Sequence, residues 1–534
     1  MSKILKLESG DRTKKLVWLD HFGKYESLYT LVSVFMNSQS GFELVFALGG
    51  KEVVVRSQAE LDRFLEEAKA VERIVCKPRE IRGNSVLSEA QLGTVQDFLA
   101  FATGNYSPYN VVSKIEGILL ANGFKELLGD RPWVVNTGGK YYVKRAFSSS
   151  IAAFSIPKQL LNGKAFSYNI AATHSDSPCP RLASKTQVFG SGYDQMNVQI
   201  YGGGLWRTWF DRELAVGGRV VVKTSEGLAV RSYASKGAIA FIPSLPPHLF
   251  KPENEALNRE IHLRPITGIS ADKPSPDGQL DFLLEDIASS LAVARENILA
   301  FDLCLADQNP PALFGSANQF VASARLDNNL SAWAGLSGFL EVPETTANQQ
   351  VIPLYFCFDH EEIGSASTSG ADSDFCETVI ERATAALSSR ADIYDTKMAS
   401  FLISADVGHA YNPNYDSNFK SGYKPIANKG NLIKINDSMK YVTNSISRAW
   451  VSCVAKEHNL HLQEFMVGNE SPSGSTLGVF LAKRLGCLSV DIGAPVLAMH
   501  SAREFVGSLD VVEYKELFKH LLATPLPEIA DRRA

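Results

Sequence analysis

The stretch VIPLYFCFDHEEIGSASTSG, Val351 to Gly370, decides how the rest of this 534-residue chain is read. Val351–Cys357 is apolar throughout, Pro353 included, and a short run without polar alternation reads as a strand buried on both faces. Asp359, His360, Glu361 and Glu362 follow at once, and a Gly/Ser/Thr loop begins at Gly364. In α/β proteins ligands bind beyond the carboxyl ends of the strands, where such a loop would lie. Neighbouring carboxylates repel, so holding two of them at a buried strand end calls for a nearby cation. One could bind a metal while the other acts as base. The competing reading is plain capping, since acids favour the first turn of a helix. From this stretch alone both readings stand.

The rest of the chain narrows the classes of function. Apolar residues make up 45% and charged residues 21%, as in an ordinary soluble globular protein. A formal charge of -5 provides no strongly basic field for nucleic acid or an anionic membrane. The seven cysteines, Cys76, Cys179, Cys304, Cys357, Cys376, Cys453 and Cys487, show no C-x-x-C spacing, and Cys357, Cys453 and Cys487 sit in apolar runs as buried thiols would. This usage favours a reducing compartment. With no signal-peptide stretch and no apolar run long enough to span a bilayer, the expected location is cytoplasmic.

The chain divides by pattern into four stretches. Residues 1–85 hold three short strand-like runs, LYTLVSVFM, FELVFAL and KEVVVRS, then a helical period in AELDRFLEEAKAVERIV. They predict a small N-terminal α+β domain, with packing or assembly as its use. Residues 86–180 predict two helices joined by a Ser-Pro turn, strands paired around TGGK, and a strand running into His174 and Asp176. Residues 181–295 predict an inserted β-rich module, a small barrel or sandwich, followed by a Pro-rich solvated loop. In residues 296–534 the α/β pattern resumes, with Asp327 ahead of an apolar helix, Asp406 and His409 at a strand end, and His500 near the last strand. The expected architecture is α/β, a mixed central sheet flanked by helices.

Polar residues at strand ends or in loops therefore recur in one order: His174, Asp327, Glu361 and Glu362, Asp406, His500. Histidines with several carboxylates are a donor set zinc accepts, and a bridging carboxylate allows two ions about 3.5 to 4 Å apart. Such a pair would activate water and polarise an amide carbonyl. Ordinary explanations also stand, Asp327 as an N-cap and His174 as a satisfied core histidine, whereas on the metal reading Asp176, two residues on along an extended segment, would orient His174. The chain contains neither H-E-x-x-H nor a Walker A run, and its Ser-rich loop NESPSGSTLG lacks the G-x-S-x-G elbow of a serine hydrolase.

Eight segments in order, AATHSDSPCPRL, IPSLPPHL, ARLDNNLSAW, FDHEEIGSASTSGADSDF, SADVGHAYNPNY, NLIKIN, NESPSGSTLG and DIGAPVLAMHSARE, resemble the M18 family of dinuclear zinc aminopeptidases. The resemblance implies a zinc exopeptidase-like fold with an inserted dimerisation domain. It implies two divalent ions per chain, zinc by family: His174 and Asp406 on one, Glu362 and His500 on the other, Asp327 bridging. Glu361 would be the general base, Asp176 the orienter of His174, and His248 a residue donated across a subunit interface. Substrates would be short peptides with free N-termini, and the assembly a homo-oligomer, a tetrahedral dodecamer built from dimers. Lys434, with His409 beside the same pocket, implies a preference for Asp or Glu as first residue. Asn412 stands where the aspartyl enzymes carry a second histidine and points instead to a neutral-residue, Leu-type aminopeptidase. Gly468, Glu470 and Val479 also depart from the family pattern near the pocket. A related deacylase or carboxypeptidase, or an inactive scaffold, are the remaining alternatives.

Overall fold

The structure, a computed structural model, describes residues 87–527 apart from 146–148, 161–164, 190–191, 250–255, 271–273, 345–349 and 389–391, together with five strands within the first 80 residues. The chain falls into two units, Met1–Val86 and Leu87–Ala534. In the first, the strands form one sheet in the order Val17–Trp18, Ile4–Leu7, Val75–Glu80, Phe42–Leu48, Lys51–Val55. Phe42–Leu48 and Lys51–Val55 pair antiparallel across the expected Gly turn, with Leu48 opposite Lys51. The run LYTLVSVFM and the helical stretch from residue 59 lie outside the described residues. Val75, expected to end that helix, instead begins a strand.

The larger unit is built on a nine-stranded mixed sheet. Its order is Leu462–Phe465, Asn431–Lys434, Leu488–Gly493, Phe401–Ala405, Ser167–His174, Val351–Phe358, Ser150–Ser155, Lys140–Arg145, Lys125–Glu126. The four strands from Leu488–Gly493 to Val351–Phe358 are parallel, so their carboxyl ends share one edge. Every residue of Val351–Phe358 is buried, because both faces of the sheet are covered. Tyr355, Ala171, Ile403 and Val490 pack on one side with helices Glu89–Ala102, Pro108–Ala121, Leu326–Leu340 and Ser508–Ala523. Phe356, Ile170 and Leu402 pack on the other with Phe375–Leu387 and Gly478–Leu485. Alternation along each strand sends successive side chains into opposite cores, which is why the sequence is apolar without interruption.

Between His174 and Asp327 a seven-stranded sheet departs from this layering. Glu213–Thr224 pairs with Ile298–Asp307 along most of its length, and Ile298–Asp307 also meets Cys179–Val188. With Ala240–Phe241, Ile266–Ile269 and Tyr193–Tyr201 completing the circuit, six strands close into a barrel and Gly227–Ala234 hangs from it as a hairpin arm. The sheet thus runs to Asp307, past the expected change at residue 295. Within the stretch read as solvated loop, Arg259–His262 forms a helical turn and Ile266–Ile269 a barrel strand. Further differences from expectation are local. Lys140–Arg145 pairs with Ser150–Ser155, and the stretch 133–136, directly ahead of TGGK, is not a strand. Cys453 is exposed and Cys487 half-buried, whereas Cys357 is buried; the six cysteines from Cys179 to Cys487 are free.

Candidate metal centre

The shared carboxyl edge gathers the expected residues. Phe358 stands opposite His174 in the parallel register, so the turn after Phe358 leaves the sheet beside that imidazole. The turn opens with His360 in the left-handed region, φ 63°, and Glu361–Ile363 form a single 3-10 turn closed by Gly364 at φ 98°. The next α-helix starts only at Phe375. Glu361 and Glu362 therefore cap nothing. Nor does Asp327 cap its helix: Arg325 holds the N-cap position, left-handed at φ 59°, without a side-chain cap bond. Asp327 points instead toward both histidines, and its N–H donates to Glu504 Oε2 at 3.0 Å. Left-handed residues cluster where a side chain must be aimed against local preference.

Two triads result, sharing one residue. His174 Nε2 lies 3.4 Å from Asp327 Oδ1 and 3.4 Å from Asp406 Oδ1. His500 Nε2 lies 3.3 Å from Asp327 Oδ2 and 3.4 Å from Glu362 Oε2. One ligand atom from each of His174, Asp327 and Asp406 falls within 4.8 Å of the others, and the same holds for Asp327, Glu362 and His500. Glu361 Oε2 stands slightly back, 3.9 Å from His174 Nε2.

The orientation of each ring follows from its other nitrogen. His174 Nδ1 faces Asp176 Oδ1 and the Asp176 carbonyl, both at 3.2 Å, so that nitrogen carries a proton and Nε2 is the one aimed at the cluster. His500 Nδ1 donates to the Gly203 carbonyl at 2.9 Å with the same result. Asp176 accepts further from the Tyr201 hydroxyl at 2.6 Å and from the N–H groups of Glu361 and Glu362 at 3.1 and 3.0 Å. That concentration of donors, with His174, holds its carboxyl well below the usual range despite burial.

Four carboxylates around two imidazoles draw in positive charge. Burial, reinforced by Asp406, Asp176 and Asp327 and opposed by His174, pushes Glu361 up to about 8. Burial and Asp327 likewise push Glu362 well above its ordinary value. For His500 burial works downward, but Asp327 and Glu362 outweigh it and raise the ring to about 11. Asp327 Oδ1 and Glu362 Oε1 are buried without a hydrogen-bond donor. Orphaned carboxylate oxygens are costly unless a cation meets them. The donor set, mixed N and O with one shared carboxylate, suits a pair of zinc-class ions.

The centre forms the floor of a cleft of about 460 Å³, whose wall includes Leu205, His409, Lys434, Tyr441, Gly474–Thr476, Phe480 and Met499. Lys434 is 2% exposed, places Nζ 3.3 Å from Asp406 Oδ2, and lies over the Tyr441 ring. Burial lowers its pKa, yet Asp406, Tyr441 and Asp491 more than compensate, and it stays cationic. His409 opens onto the cleft beside Phe465; the surrounding protein and Lys434 lower its pKa. Asn412 does not reach into the cleft lining. Its side chain accepts from the Asn414 N–H at 3.1 Å and caps the following turn. His248 is exposed on a turn and is not part of the cleft wall of its own chain.

Three contributors escaped sequence reasoning. Glu504, fully buried, accepts from the N–H of His500 at 2.7 Å as well as from Asp327, tying two ligands together. Tyr201 and Gly203 come from the barrel. In the sequence Glu504 is one charge in SARE and Tyr201 one aromatic in a strand, and only the fold brings them near the ligands.

The chain's relatives agree with this architecture. The model of the family described as aminopeptidase I zinc metalloprotease (M18) matches residues 101–522. Aspartyl aminopeptidase 4 of Saccharomyces cerevisiae is 37% identical over 460 residues, 79% of this chain and 93% of that one. The cryo-EM structure of the Ape4 and Nbr1 complex contains a chain that superposes with a TM-score of 0.77 at 33% identity, over 83% of this chain and 86% of its own length. The mApe1 dodecamer of Saccharomyces cerevisiae superposes at 0.70 with 26% identity, over 80% and 95%. A mixed α/β unit carrying a barrel and matched along most of its length by these proteins is an M18 fold: the chain belongs to the M18 aminopeptidase family. It is, with that family, a zinc-dependent aminopeptidase.

Proposed function

We propose that the enzyme removes acidic residues, Asp or Glu, from the N-termini of short peptides, using two divalent ions held by the paired triads. His174 and Asp406 would hold one ion, Glu362 and His500 the other, with Asp327 between them. The observation that carries this is the sharing of Asp327: one carboxylate faces both histidines, an oxygen to each, at 3.4 and 3.3 Å. Such a pair of ions, when bound, supplies an activated water and polarises the scissile carbonyl. Glu361, near the cluster but outside both triads, serves as the general base and returns its proton to the leaving amine. Asp176 positions His174. The base needs its carboxylate form, which ions in the two triads favour by offsetting the surrounding negative charge.

Acidic specificity is supported by Lys434, a buried cation in the cleft wall, and by the aspartyl aminopeptidases among the relatives. His409 lines the same wall. The side chain that argued for a neutral-residue enzyme, Asn412, is occupied as a cap. Assembly as a homo-oligomer, a tetrahedral dodecamer built from dimers, is supported by the mApe1 dodecamer. In it the exposed His248 would complete a neighbouring subunit's cleft. The separating experiment is a panel of Asp-, Glu-, Leu- and Lys-starting peptides, free and N-acetylated, assayed with zinc content measured. Free Asp and Glu peptides are expected to lead, at two ions per chain. Equal cleavage of blocked peptides, or full activity with less than one ion per chain, refutes the reading.

A further inference from the structure

The two histidines of the centre lie far apart in sequence, yet one short stretch of the barrel engages both. Tyr201 ends the strand Tyr193–Tyr201. Its hydroxyl donates to Asp176 Oδ2 at 2.6 Å, and Asp176 Oδ1 faces His174 Nδ1 at 3.2 Å. Two residues on, the Gly203 carbonyl accepts from His500 Nδ1 at 2.9 Å, and the Leu205 N–H donates to the His500 carbonyl at 2.8 Å. We propose that Tyr201–Gly203 is a clasp through which the barrel orients both histidine ligands, with Tyr201 a positioning residue for His174. The proposal rests on the two-ion reading above.

Each part of the stretch suits that task. The Tyr201 ring is buried, and the Arg181 guanidinium stacks on it 3.4 Å from the centroid, which fixes the direction of the hydroxyl. Burial and Asp176 keep that hydroxyl protonated, hence a donor. Without the phenol Asp176 Oδ2 keeps only the Glu362 N–H and Oδ1 only the Glu361 N–H beside the imidazole, so the carboxylate loses its one side-chain donor other than His174. Gly202, at φ 73°, lets the backbone come close: a Cβ there would stand 3.3 Å from Glu362 Cβ and from Pro178. Side-chain partners of this kind hold the ring and tautomer of a metal-ligating histidine, and their removal weakens metal affinity 10–100-fold.

The test is Tyr201→Phe in the full chain, stripped of metal and titrated with Zn2+ against a chromophoric chelator. The unaltered enzyme is expected to bind two ions. In the variant, one of the two dissociation constants rises at least about tenfold, while the other stays put. Unfolding of the metal-free protein, followed in parallel, reads a purely structural role. A lowered unfolding temperature with both affinities unchanged overturns the clasp, as does no change at all. If the unaltered enzyme binds no pair of ions, the two-ion reading falls and the clasp with it. Gly202→Ala addresses the other arm without touching the phenol: a methyl at positive φ, 3.3 Å from Pro178 and from Glu362 Cβ, strains the turn that presents the Gly203 carbonyl, and the ion shared with His500 is expected to weaken. Two unchanged affinities in that variant also overturn the proposal, whether or not Tyr201→Phe accumulates as folded protein.

Discussion

Replacing Lys434 with methionine tests the origin of acidic preference most directly. Methionine keeps much of the apolar stem and removes the charge. The ammonium is 2% exposed, and a buried pair broken at one partner costs roughly 3–5 kcal/mol. Only part of that applies to substrate, because Nζ already sits 3.3 Å from Asp406 and in the field of Asp491. Taking about half gives about 2 kcal/mol, or about 30-fold. The change also removes a partner of a proposed metal ligand, so absolute rates fall for every substrate. The informative quantity is therefore the ratio of kcat/KM between Asp- and Leu-starting peptides of otherwise identical sequence, in which a shared loss cancels. That ratio is expected to drop about 30-fold. A ratio that does not move, with both rates falling together, would assign Lys434 to Asp406 alone and place the specificity elsewhere.

Other changes report on separate parts of the structure. Glu361→Gln removes the base while preserving shape, so kcat should fall by about 10²- to 10⁴-fold with zinc content unaltered; loss of zinc would make Glu361 a ligand. His248→Phe should lower turnover of the assembled enzyme and leave zinc content intact, and unchanged kinetics would remove it from the neighbouring cleft. Away from the centre, the rings of His458 and His520 stack with centroids 3.4 Å apart, joining helices Ser445–Glu457 and Ser508–Ala523. Burial and His458 hold the pKa of His520 below its unfolded value. The stability tied to that difference is present above the unfolded pKa and lost as pH falls through the folded one. His520→Gln should therefore lose less thermal stability than the parent between pH 7.5 and 5.5, a comparison of melting temperatures; equal losses would refute the sign.

Much of the catalytic layer was legible because its signals are local. A both-faces-buried strand writes a continuous apolar run, and a strand end that stops in charge is visible at Phe358–Glu362, His174 and Asp406. The inserted β segments announced themselves through glycine turns. What stayed hidden depends on contacts between distant residues. Asp327, expected as the bridge only through the family resemblance, has by itself the sequence position of an ordinary cap; its contacts with Glu504 and both histidines are what separate the two readings. Ile298–Asp307 reads as one more α/β strand, yet its side of the pairing lies with Glu213–Thr224. Asn412 shows the converse: residue identity invited a specificity argument, while the local turn had already claimed the side chain.

The parallel register that sets Phe358 against His174 also has a bearing on how this protein acquires activity. Strand neighbours at the centre are separated in the chain by the whole barrel, and antiparallel shortcuts are absent among the middle four strands. Joining them requires closing very long loops, an entropic cost that makes such sheets slow to form. A slip of a single residue would turn His174 to the opposite face. In the chain the barrel strands, residues 179–307, all precede Asp327, Glu362, Asp406 and His500. Glu362, Asp406 and His500 all follow the barrel in the chain, so the proposed centre cannot be complete before the last of them has been added.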